Sequence, residues 1–92
     1  MNLKIEHNPE KERFYAIVEG KTCHLDYETL PDGKTLDFQH TYTPPELRGR
    51  QIMYAITKFA LEYAIENNLK VIPSCPYVSD FIDNNPEYKK VL

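Results

Sequence analysis

The chain has 92 residues, of which 41% are hydrophobic and 27% charged, which suits one compact domain and excludes a disordered chain. Its net charge of −3 argues against a general nucleic-acid binder, because neutralising a phosphate backbone calls for a basic face. The chain shows no signal-peptide pattern, no apolar run long enough to span a membrane and only two, widely separated cysteines. We therefore expect a cytoplasmic protein with reduced thiols and no membrane attachment.

The first half of the sequence has the pattern of β-strands. Four segments alternate apolar and polar side chains and are separated by turn-prone residues: 3–7, 14–18, 23–28 and 36–43. In the third segment Cys23 shares a face with Leu25, so we interpret Cys23 as a core residue. In the fourth, His40 shares the face of Phe38. Short connections between these segments predict a four-stranded antiparallel meander.

The second half begins with a change of period. From Leu47 to Glu66, apolar residues recur at helical spacing, with a predicted buried face of Ile52, Ile56, Phe59, Ala60, Tyr63 and Ala64. Residues 69–72 then predict a strand parallel to the fourth, because a helix joins the two. A shorter helix over 76–83 follows, and the tail is expected to pack through Tyr88 and Val91. The predicted fold class is α+β with a mixed five-stranded sheet, a long helix and a short C-terminal helix.

Residues 43–53, between the fourth strand and the long helix, are the most informative stretch. Pro44 and Pro45 end the strand, and Gly49 lies between Arg48 and Arg50 where a helix start leaves backbone N–H groups without partners. A phosphate-bearing ligand would fit such a site. Proline-rich helix starts with nearby arginines also occur as plain caps, so local chemistry leaves both interpretations open.

Three separated motifs, in the same order along the chain, resemble the minimal single-domain subgroup of the GNAT-type N-acetyltransferases. They are HTYTPPELRGR at 40–50, NNLKVIP at 67–73, and SCPY at 74–77 followed by NPEY at 85–88. The resemblance covers roughly residues 36–88 and implies one such domain over residues 1–92. It also implies that acetyl-CoA is a co-substrate, and that its acetyl group passes to an amine on a small molecule or a peptide.

The same resemblance assigns a cofactor-binding role to the informative stretch. It implies that the pyrophosphate rests on backbone amides at the start of the long helix, and that the fourth strand pairs with the pantetheine arm. It also implies a gap between strands four and five that holds the thioester. The implied cofactor-binding residues are Gln39, Thr41, Tyr42, Leu47, Arg48, Gly49, Arg50, Gln51, Ile52 and Met53.

Two positions depart from the family pattern. Family members usually have small residues where this chain has Gln51 and Met53. If these side chains face the phosphates, their bulk would weaken or abolish CoA binding, whereas little is lost if they face the core or solvent. A non-catalytic member that binds CoA weakly or not at all, and serves as an interaction module, is therefore the alternative.

Two residues are candidates for a catalytic role. Cys75 precedes Pro76 at a predicted helix start, where the helix dipole favours a thiolate nucleophile, although a small buried hydrophobe fits equally well. His40 is either a general base or a hydrogen-bonded core group. Tyr77 is close enough to Cys75 in sequence to line a pocket. Histidines and cysteines lack metal-ligand spacing, so we predict no metal. We expect a monomer or weak dimer.

Overall fold

The computed structural model describes residues 3–92, in which five strands and two α-helices follow one another in the predicted order. The elements are β1 (Glu6–Asn8), β2 (Arg13–Val18), β3 (Lys21–Thr29), β4 (Thr35–Tyr42), a 3₁₀ helix (Pro45–Leu47), α1 (Ile52–Glu66), β5 (Lys70–Ile72), α2 (Pro76–Asn84) and a second 3₁₀ helix (Pro86–Val91). The strands lie in the order β1-β2-β3-β4-β5. The first four pair antiparallel, and β5 pairs parallel to β4 with Val71 opposite Leu36. The predicted fold class is confirmed.

One hydrophobic core lies between the sheet and the helices. Alternate strand residues such as Phe14, Leu25 and Phe38 are fully buried against Ile56 of α1, because successive side chains of a strand point to opposite faces. Cys23 is also fully buried, which confirms its interpretation as a core residue, and burial raises the pKa of its thiol. In the tail, Tyr88 and Val91 are buried as predicted.

The buried face of α1 differs in part from its prediction. Phe59 is 40% exposed, whereas Met53, Thr57 and Leu61 are buried. The reason is that α1 packs on its second side against α2 and the C-terminal 3₁₀ helix, so its buried stripe is wider than the one facing the sheet. Phe59 is left at the rim, with its ring 6.1 Å from that of Phe14.

A β-bulge reverses the alternation of side chains near the end of β4. In the β3–β4 ladder, Tyr27 lies opposite Phe38 and Asp26 lies opposite His40, so Gln39 is the extra residue. Beyond Gln39, Thr41 faces the core, and His40 lies on the opposite face of the sheet with its ring 5.9 Å from that of His24. The prediction that His40 shares the face of Phe38 is therefore wrong.

The edge strand β1 is attached to the sheet through His7. Its Nε2 atom lies 2.6 Å from the Tyr27 hydroxyl, and its ring stacks on Phe14 with the centroids 4.1 Å apart. The ring of Tyr63 meets it edge-on. Partial burial in this cluster lowers the pKa of His7, because desolvation disfavours the charged imidazolium. The neutral ring is thus the form that packs here.

We predict that His7 makes the folding stability depend on pH. A base whose pKa is lowered on folding contributes stability that is complete above its unfolded pKa, 6.5, and is lost as pH falls below that value. The free energy of unfolding should therefore decrease between about pH 7.5 and about pH 5. His7→Phe keeps the ring stack, and should reduce this slope in urea titrations at several pH values. Burial also lowers the pKa of His24, so part of the dependence of stability on pH should remain in this variant. An unchanged slope in His7→Phe would contradict the prediction.

Candidate functional site

The backbone of the loop between β4 and α1 differs from the helix that the sequence pattern predicted there. Arg48 is extended, Gly49 has φ +81° and Gln51 has φ +65°, after which α1 begins at Ile52. The prediction of a helix from Leu47 onward is wrong for residues 48–51, because left-handed residues cannot continue a right-handed helix. Glycine adopts a positive φ without strain. Gln51 adopts it at a cost of roughly 1–2 kcal/mol.

The start of α1 presents free backbone donors to this loop. The first helical hydrogen bond runs from the N–H of Ala55 to the carbonyl of Gln51, at 3.2 Å. No side chain among residues 3–92 caps this end, and the first turn holds no acidic residue. The N–H groups of residues 52–54 therefore remain available, together with the positive end of the helix dipole. Such an end attracts an anion.

A groove of about 470 Å³ lies beside this helix end. One wall is the last part of β4, which pairs with β5 only over residues 35–37, so residues 39–42 have no strand neighbour on that side. Eight of the ten predicted cofactor-binding residues line the groove: Thr41, Tyr42, Leu47, Arg48, Gly49, Gln51, Ile52 and Met53. The other two, Gln39 and Arg50, do not line it.

Three further residues line the groove: Thr43, Tyr54 and Tyr77. Tyr77 was expected near a pocket from its proximity to Cys75, whereas Tyr54 was not singled out from the sequence. The signal for Tyr54 was its place in the first turn of α1, where side chains surround the free amides. Burial raises the pKa of Tyr77, with a smaller contribution from Tyr54, so its phenol stays protonated at neutral pH.

The two residues that depart from the family pattern are placed differently. Met53 is only 8% exposed and belongs to the hydrophobic core, although it also touches the groove. Gln51 is exposed and lines the groove. A Cβ atom added at Gly49 would meet nothing within 4 Å, so this part of the loop backbone is open to a ligand. Met53 is therefore mostly a core residue that gives the groove a small apolar surface, and Gln51 is the departure whose side chain can obstruct CoA.

The two arginines of the loop have different partners. Arg48 donates from Nε to the carbonyl oxygen of Thr43 at 3.0 Å and lines the groove. Arg50 instead pairs with Glu19, with Nη1 2.5 Å from Oε2, and donates to the Glu46 carbonyl at 3.3 Å. The Glu46 carboxylate is paired with Lys21, whose hydrogen bond lowers the pKa of Glu46. Glu46 therefore does not cap α1.

The two candidate catalytic residues both lie outside the groove lining. Cys75 is 6% exposed, its N–H donates to the Phe38 carbonyl at 2.9 Å, and its sulfur lies 3.5 Å from the Thr41 hydroxyl. The Cys75 sulfur thus lies behind Thr41, which lines the groove. His40 is exposed on the opposite face of the sheet, beside His24, whose Nδ1 lies 3.1 Å from the Asp26 carboxylate. Burial lowers the pKa of His24.

Two kinds of feature are absent from the described residues. Within residues 3–92, no helix combines the length and the apolar character needed to cross a bilayer. The same residues contain no group of three or more His, Cys, Asp or Glu side chains arranged to hold a metal ion. The groove is lined by threonines, tyrosines, one arginine, one glycine, one glutamine and three apolar residues, Leu47, Ile52 and Met53.

Comparison with known proteins places the chain in a family. A family model described as GCN5-related N-acetyltransferase matches residues 13–91. Protein NATD1 of Danio rerio is 34% identical over 86 residues, which cover 91% of this chain and 77% of that protein. Protein NATD1 of Homo sapiens is 34% identical over 89 residues, covering 91% and 75%. The solution structure of a GCN5-like protein from Staphylococcus aureus superposes with a TM-score of 0.75 at 27% identity, covering 98% of this chain and 87% of that one. The chain belongs to the GCN5-related N-acetyltransferase family.

Proposed function

We propose that this protein binds acetyl-CoA in the groove beside α1 and transfers the acetyl group to an amine of a small molecule or peptide. The observation that carries the proposal is the helix start at Ile52, where free N–H groups meet an open groove and the first turn of α1 holds no acidic side chain. The family membership supplies the class of reaction.

The residues present fit the parts of acetyl-CoA. The N–H groups of residues 52–54 and the positive end of α1 suit a diphosphate, and Arg48 adds a positive charge at the groove. The free edge of β4 at residues 39–42 offers backbone N–H and C=O groups to the amides of the pantetheine arm. Apolar contact comes from Leu47 and Met53.

The chemistry then depends on positioning and on two proton transfers. Bound acetyl-CoA supplies a thioester carbonyl that an amine can attack. We assign the amine's proton to His40, reached through water, because His40 is exposed at the bulge of β4 but lies on the opposite face of the sheet, outside the groove lining. Tyr77 keeps a proton on its hydroxyl at neutral pH, and can donate it to the leaving sulfur. Cys75 acts as a positioning residue, since its sulfur supports Thr41 from behind.

A second candidate function is a non-catalytic member of the same fold. The strained Gln51 favours it, because a glutamine at this left-handed position puts a flexible side chain into the groove. Such a protein would bind CoA weakly or not at all and would act through contacts with other proteins. Direct binding measurements separate the two functions.

Titration with acetyl-CoA, followed by backbone amide shifts, tests the proposed function. We expect the largest shifts at residues 49–54, with saturation below about 1 mM. A second cavity at the other end of α1, lined in part by residues 68–70, provides an internal control that should not shift. Absence of shifts at residues 49–54 at millimolar ligand would remove the enzymatic proposal and leave the non-catalytic one.

Substitution of Gln51 should strengthen CoA binding. Gln51→Gly removes the side chain from the groove, so that no conformational entropy is lost by ordering this side chain when CoA binds. We expect the affinity measured by calorimetry to rise about two- to tenfold. Stability should change by less than about 1 kcal/mol, because relief of strain opposes the larger unfolded-state entropy of glycine. Gln51→Ala is the matched control, since it removes the side chain but keeps the strain. If neither variant binds more tightly, the side chain of Gln51 does not limit binding.

Direct transfer to an amine predicts that Cys75 carries no acetyl group. After incubation with acetyl-CoA, intact-mass measurement should show no added acetyl group on wild type, Cys75→Ala or Cys23→Ala, each compared with its own untreated mass, because the Cys75 sulfur lies behind Thr41 rather than in the groove. An acetyl adduct present in wild type and in Cys23→Ala but absent from Cys75→Ala would contradict this. It would make Cys75 a nucleophile.

A further inference from the structure

The turn between β2 and β3 has an unusual residue at a constrained position. Val18 pairs with Lys21, so Glu19 and Gly20 form a two-residue turn in which both have positive φ, +52° and +76°. Such turns strongly favour Asn, Asp or Gly at the first of these positions, because a longer side chain is strained there. This chain has a glutamate.

The glutamate reaches the loop at the start of α1. Its Oε2 atom lies 2.5 Å from Nη1 of Arg50, although the two residues are 31 positions apart. Lys21, on the other side of the turn, pairs with Glu46, whose backbone carbonyl also accepts from Arg50. The turn is thus joined to the loop by two ion pairs. Both side chains of the Glu19–Arg50 pair are partly exposed, at 61% and 39%.

We propose that Glu19 is an internal competitor for Arg50, and that it sets the affinity of the loop for a diphosphate-bearing ligand. This inference rests on the proposed function, because it concerns the same anion site. The free amides begin at Ile52, only two residues after Arg50. Arg50 nevertheless does not line the groove. Its nearest anion is a carboxylate of the chain itself. A bidentate phosphate contact is stronger than an exposed carboxylate pair, so a diphosphate can displace Glu19 at a cost in affinity.

The opposing possibility is that Glu19 holds Arg50 and the loop in the conformation that binds. The two effects have opposite signs, so one substitution decides between them. Exposed ion pairs stabilise a conformation only weakly. Removal of a like charge from the neighbourhood of a bound dianion is therefore the larger effect, and the competitor is the role that we assign.

The test uses Glu19→Gln. This substitution keeps the size of the side chain and the positive φ of residue 19, but it removes the negative charge. Calorimetric titrations with CoA and with inorganic pyrophosphate should show about two- to fivefold tighter binding than wild type at low salt. Glu10→Gln is the matched control, since Glu10 is exposed in the turn between β1 and β2 and changes the net charge equally. The affinity of Glu10→Gln for CoA and for pyrophosphate should match that of wild type.

A double-mutant cycle shows whether the effect passes through Arg50. In an Arg50→Gln background, Glu19→Gln should change CoA affinity by much less than in wild type. An unchanged or weakened affinity of Glu19→Gln, or an equal effect in both backgrounds, would overturn the inference. If wild type fails to bind and Glu19→Gln binds, the inference stands. If neither binds either ligand, the proposed function and the inference both fall, whereas binding by both with equal affinity removes the inference alone.

Discussion

The site depends on backbone N–H groups that the start of α1 leaves without partners. A helix start is normally satisfied by a side-chain cap, but here two left-handed residues, Gly49 and Gln51, turn the chain sharply before Ile52 and no side chain of the described residues caps the helix. Leaving such donors free costs folding stability unless water or a ligand accepts from them. A ligand that carries a diphosphate suits this requirement, since it brings negative charge to the positive end of the helix.

The sheet supplies the second half of the groove through two irregularities. The bulge at Gln39 turns Thr41 toward the core and places His40 on the opposite face. The short parallel pairing with β5 ends at Asp37, so the last residues of β4 keep a free edge beside α1. A regular, fully paired β4 would have no backbone groups to offer to a ligand. Departure from regular pairing thus leaves the backbone edge that the proposed function assigns to the pantetheine arm.

Much of the fold could be predicted from the sequence because its signals are local. The alternation around Leu25 and the helical spacing from Ile52 to Ala64 reflect burial of one face. The misses had no local signal. Gln39 has nothing that distinguishes a bulge from a regular strand residue, Arg48 and Gln51 are good helix formers, and Phe59 fits the apolar spacing. The pairing of Arg50 with Glu19 joins distant parts of the chain, so no pattern along the sequence indicates it.

The central claim is that the loop from Gly49 to Met53 binds a diphosphate through its backbone. The most direct measurement is a crystal structure of the protein with CoA. The account predicts diphosphate oxygens within hydrogen-bonding distance of the N–H groups of residues 52–54, with Gly49 and Gln51 still at positive φ and the pantetheine arm along the free edge of β4. CoA bound elsewhere, or a loop that has refolded so that those N–H groups point away from the diphosphate, would contradict it.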